Sequence, residues 1–100
     1  MTKRVVCLAS AFVAAAHVIA LAQSDGAALY DRHCARCHGP DGRPDLPATP
    51  DFTRGEGLLK SDQELVNALR FGVGAMPGFE HELTKEEFID VIFHIRSLQR

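Results

Sequence analysis

The chain has little of what most functional classes need. In 100 residues it carries three cysteines, two methionines, one tyrosine and no tryptophan. The cysteines stand at positions 7, 34 and 37, so there is no disulfide framework and no second cysteine pair to complete a zinc site. There is no basic excess either. The formal net charge is −2, which argues against nucleic-acid binding. Only one apolar run is long, Val5 to Leu21, and His17 interrupts it.

That run is read as a targeting segment. Lys3 and Arg4 form a positive start, Val5 to Ala16 is uncharged, and Ala20-Leu21-Ala22 supplies a small-x-small cleavage pattern. Residues 1–22 are therefore expected to be a signal peptide and residues 23–100 the mature domain, beginning at Gln23. An uncleaved membrane anchor is the alternative, since the run is nearly long enough to span. Cys7 lies too early, and outside a Leu-x-x context, to be a lipid attachment site. It reads as a small apolar residue of the signal. The mature part holds two Lys and seven Arg against thirteen acids, a formal charge of −4. A domain of this size cannot build a large core and usually needs a staple.

What is present is concentrated in Cys34-Ala35-Arg36-Cys37-His38, the Cys-x-x-Cys-His pattern of covalent c-type haem attachment. On a helix, positions i, i+3 and i+4 share a face. Both thiols can then add to the two vinyl groups of one porphyrin while His38 brings an imidazole nitrogen to the iron. Zinc would need a further Cys or His pair. A thioredoxin-like dithiol would open the helix of a βαβ unit and calls for no following His. One haem c, bonded to Cys34 and Cys37, is expected, and it supplies the staple. Export agrees, because bacteria normally join haem to thiols outside the cytoplasm.

Three helical stretches and two loops follow, with no convincing strand. The first helix runs from an Asp25 N-cap through Leu29 and Tyr30 into the haem motif. The second opens on the capping box Ser61-Asp62-Gln63-Glu64, places Leu65, Ala68 and Leu69 on one face, and stops near Gly72. The third opens on Thr84-Lys85-Glu86-Glu87 and carries Phe88, Val91, Ile92, Ile95 and Leu98 at helical spacing. The loop from residue 39 to 57 holds four of the five prolines, Pro40, Pro44, Pro47 and Pro50, which excludes helix. Leu46 and Phe52 are its expected inward residues. Arg43 and Arg54 are candidates to meet a haem propionate.

The second loop, Gly72-Val73-Gly74-Ala75-Met76-Pro77-Gly78-Phe79, holds the expected sixth ligand. Met76 is the only methionine after Met1. It stands among glycines and before a proline, where the backbone can keep a fixed non-helical path close to a cofactor. A thioether suits haem iron, and His/Met ligation raises the reduction potential. His81 is the competing ligand.

These features resemble the small soluble class I cytochromes c of bacteria, monohaem and His/Met-ligated. The resemblance rests on Gly26-x-x-x-Tyr30, Cys34-Ala35-Arg36-Cys37-His38-Gly39, Gly74-Ala75-Met76-Pro77 and the closing Ile95-Arg96-Ser97-Leu98, and it covers almost all of the mature region. It implies an all-α fold, three to four helices around one covalent haem with long irregular loops. It also implies that Gly26 and Tyr30 pack the first helix on the last, where His94 replaces a frequent aromatic and becomes a packed or half-exposed interface residue. A proline carbonyl, from Pro44 or Pro47, would accept the His38 N–H. His33 reads as an exposed helix residue. The implied function is one-electron carriage in the periplasm, Fe(II)/Fe(III), between redox proteins of a respiratory or oxidative pathway. The protein would be no enzyme, and a monomer. The alternative is a subunit or dedicated acceptor of a periplasmic dehydrogenase complex. A haem gas sensor would require a labile sixth ligand.

Overall fold

A computed structural model describes residues 2–12, 14–15 and 25–100. The expected cleavage site, Ala20-Leu21-Ala22 before Gln23, lies outside the described residues, as does His17. Val5, Val6, Leu8 and Phe12 are exposed. Among the described residues no helix is long and apolar enough to cross a membrane.

The fold is all-α, with helices α1 (Gly26–His33), α2 (Ala35–His38), α3 (Asp62–Phe71) and α4 (Lys85–Ser97). Local side chains start the three longer ones. Asp25 Oδ1 accepts the Ala27 and Ala28 N–H groups at 3.0 and 3.2 Å, satisfying donors that a helix start leaves open. Ser61 with Glu64 and Thr84 with Glu87 form complete capping boxes. Gly72, at φ +81°, closes α3.

The core joins Leu29 and Tyr30 of α1, Phe52 of the long loop, Leu58 just after it, Val66 of α3, Leu83, and Phe88, Val91, Ile92 and Ile95 of α4. The stripe on α4 is the one its spacing predicts. On α3 the fully buried residue is Val66, with Leu65 and Leu69 partly buried beside it. The expected Leu65, Ala68, Leu69 face is therefore turned by part of a helical step.

Gly26 lets α1 and α4 cross closely. A Cβ there would lie 2.2 Å from the Asp90 carbonyl oxygen, so a glycine is required. One turn on, the Tyr30 and His94 rings meet at 5.1 Å between centroids, tilted 53°. His94 thus takes the place of an aromatic in the crossing and is half-buried.

Arg96, to which sequence pattern alone assigns no partner, ties α4 to the approach of α3. Its Nη1 donates to the Leu58 carbonyl at 3.0 Å, its Nη2 to the Lys60 carbonyl at 2.8 Å, and both Nε and Nη2 to Asp62 Oδ1 at 3.0 and 2.9 Å.

Candidate functional site

The first helix does not run straight into the motif. Cys34, at φ −118°, separates α1 from α2. No glycine or proline stands there, so the bend is set by packing. Cys34 and Ala35 lie against the core, while Arg36 and Cys37 face solvent. The hydrogen bonds nevertheless continue through it. The Cys34 carbonyl accepts the N–H of Cys37 at 3.2 Å and of His38 at 2.9 Å, so Cys34, Cys37 and His38 occupy one helical turn. Both thiols are free. Burial, then the neighbouring Cys37, pushes the Cys34 thiol up to about 11.

Immediately after His38 the chain turns at Gly39, φ +80°, where a Cβ would lie 2.0 Å from the Arg43 carbonyl oxygen. The buried Tyr30 hydroxyl donates to the Gly39 carbonyl at 2.7 Å. Burial, then the neighbouring Cys34 and Asp41, raises Tyr30 to about 12, so the hydroxyl keeps its proton.

His38 is half-buried, and burial lowers its pKa, with the Pro50 backbone acting in the opposite sense. A neutral imidazole results, the form that binds metals. Its Nδ1 is buried without a well-formed hydrogen bond. The nearby carbonyl is that of Pro50, not Pro44 or Pro47 as expected. Proline remains the residue type, but the loop path selects the one that leads into the Phe52–Arg54 turn. Phe52 is buried, as expected, and its ring stacks on His38 at 4.6 Å and 13°. Leu46 is not inward. It is 50% exposed, on a loop stretch with no regular hydrogen bonding to hold it against the core.

Met76 is half-buried in the second loop. Its N–H donates to the Val73 carbonyl at 2.9 Å, and the Val73 N–H donates back at 3.1 Å. Gly74, at φ +55°, allows that tight turn. The chain returning after Met76 is fastened to α3, with the Phe79 N–H on the Leu69 carbonyl at 2.8 Å. No hydrogen bond or ring contact joins Met76 to the Cys34–His38 turn. The two halves are linked through His33 instead. Its ring meets Phe79 edge-on at 5.6 Å, and its Nδ1 lies 3.7 Å from Glu82 Oε2. His33 is therefore partly buried, contrary to the expectation of an exposed residue, because the second loop folds back over the end of α1. His81 is exposed, as are Arg43 and Arg54, the latter 3.7 Å from Glu56.

Two free thiols and a neutral imidazole in one turn, with a thioether in a fixed loop, form a donor set that fits a haem. Among the described residues no group of three or more His, Cys, Asp or Glu is placed to hold a bare metal ion.

Comparison with known proteins agrees. The family model for cytochrome C oxidase, cbb3-type, subunit III matches residues 21–95. Among solved structures the c-type cytochrome KustC0563 is similar, with 32% identity and a TM-score of 0.69, over 76% of this chain and 99% of that one. No curated protein matches the chain.

Proposed function

The chain belongs to the cbb3-type cytochrome c oxidase subunit III family of small c-type cytochromes, and from that membership we propose a periplasmic one-electron carrier with haem held by Cys34, Cys37, His38 and Met76. The family implies a covalently bound haem c and electron transfer through it. The observation that carries the assignment of residues is the single turn joining Cys34, Cys37 and His38, with both thiols free.

Bound there, the haem supplies a one-electron couple between ferrous and ferric iron. Cys34 and Cys37 hold it by thioether bonds. His38, whose Nδ1 is buried, would offer Nε2 to the iron. Met76 offers a soft thioether from a loop pinned at Val73 and Phe79, and that ligand raises the potential. If His38 and Met76 both ligate the iron, no coordination position would be left to oxygen or peroxide, which supports electron carriage over substrate chemistry.

Export to the periplasm rests on Lys3-Arg4, the apolar run and Ala20-Leu21-Ala22. The family match covers residues 21–95, so Lys3-Arg4 and most of the apolar run lie before it. The donor and acceptor are redox proteins. The similarity to the c-type cytochrome KustC0563 supports haem-based electron carriage as the first reading. The family's oxidase subunit favours a second reading, a subunit of a larger redox enzyme, dehydrogenases included. Size-exclusion chromatography of the native protein separates the two. The carrier reading is tested by exposing reduced holoprotein to carbon monoxide. The expected result is an unchanged spectrum, and ready binding would show a labile ligand and a sensor-like site.

A further inference from the structure

We propose that Phe52 is a positioning residue for His38, holding the imidazole plane at one angle about its axis. The inference rests on the reading of His38 as an axial ligand. A ligating imidazole is usually oriented by a hydrogen bond from its other nitrogen. Here Nδ1 is buried without a well-formed partner, and the Pro50 backbone is the polar group acting on the ring. The ring face, by contrast, lies nearly parallel to Phe52, at 4.6 Å and 13°. That is within the range of an aromatic stack.

Phe52 can serve as a flat stop because it is itself held. Only 7% of it is exposed, and its N–H donates to the Gly42 carbonyl at 2.9 Å. Its turn is capped by Asp51, whose Oδ1 accepts the Thr53 N–H at 2.9 Å. The next carbonyl, of Thr53, accepts the Arg100 N–H at 2.9 Å. Gly42 makes room for it. A Cβ at Gly42 would stand 3.1 Å from Phe52 Cβ and 3.0 Å from Leu98 Cδ1. Rotation of the His38 ring out of this plane would drive its edge into a side chain that cannot retreat.

In low-spin ferric haem the imidazole plane and the orientation of the axial thioether together decide which porphyrin positions carry unpaired spin. With Met76 left unaltered, a change in the pattern of ring-methyl proton shifts reads a change in the imidazole angle. The test compares that pattern in oxidised holoprotein for the parent, Phe52→Leu and Leu58→Ala. Leu58 is an equally buried residue just after that loop, 6% exposed, and serves as the control for loosened packing. The order or spread of the methyl shifts should change in Phe52→Leu and persist in Leu58→Ala. If Phe52→Leu does not accumulate as holoprotein, Phe52→Met carries the same readout. An unchanged pattern on loss of the Phe52 ring overturns the inference, as does an equal change in Leu58→Ala. His38→Ala separates this from the ligation itself: it should abolish the low-spin spectrum, and if it does not, the ligand assignment falls and not merely the stacking.

Discussion

Gly26→Ala probes the contact that sets the helix crossing. The added methyl would stand 2.2 Å from the Asp90 carbonyl oxygen and 2.7 Å from its carbonyl carbon, where an ordinary contact needs about 3.5 Å. The obstacle is helix backbone and cannot rotate away, so α1 and α4 must separate by about 1 Å. The separation loosens Tyr30 against His94 and the packing of Leu29, Val91 and Ile95 along the same seam. Overpacking of this kind costs about 1–3 kcal/mol, and the better helix propensity of alanine returns at most about 1 kcal/mol. A net loss of about 1–2 kcal/mol should lower Tm by roughly 4–16 °C in a domain this small. Thermal unfolding of oxidised holoprotein, followed by far-ultraviolet circular dichroism, measures it. Gly26→Ala melting at or above the parent would refute the close crossing.

Arg96→Ala should cost about 1–2 kcal/mol in urea unfolding. Arg96→Lys should recover only part of it, because a single ammonium cannot reach the Leu58 and Lys60 carbonyls and Asp62 together. Tyr30 has a pKa raised from its ordinary 10.0 to about 12. Its contribution to stability is therefore complete below pH 10 and lost as pH rises toward 12, and Tyr30→Phe should flatten that part of the stability profile. Replacing Cys34 or Cys37 with alanine should leave little folded holoprotein, read by haem staining after denaturing electrophoresis, since so small a core depends on its bonded haem.

The parts of this protein legible in its sequence are those whose physics is local. Asp25, Ser61 and Thr84 cap helices through residues two or three positions away, so the caps can be read without the fold. The α4 stripe and the one-turn spacing of Cys34, Cys37 and His38 are likewise helical arithmetic. What was missed depends on where the loops travel. Pro50 and not Pro44 or Pro47 approaches His38, and Leu46 faces out, because the loop is fastened at Gly42 and Asp51 by backbone bonds that no residue pattern announces. His33 is covered by Phe79 and Glu82, 46 and 49 positions downstream. Arg96 spends two of its bonds on backbone carbonyls, which any sequence supplies. Val66 joins Leu65 and Leu69 on the buried side of α3 because adjacent helical positions differ by only about 100°, and which of them points most deeply inward depends on the packing partner.

If Met76 is the sixth ligand, as proposed, the iron is closed to exogenous ligands and its potential is raised. The most direct measurement is the far-red absorption of oxidised protein, where sulfur-to-iron charge transfer gives a weak band, recorded for the parent and for Met76→Ala. The band should be present in the parent and lost in Met76→Ala, together with a lower reduction potential and new binding of carbon monoxide by the reduced form. A Met76→Ala protein with the spectrum and potential of its parent would contradict it, and His81 would then be the ligand to test.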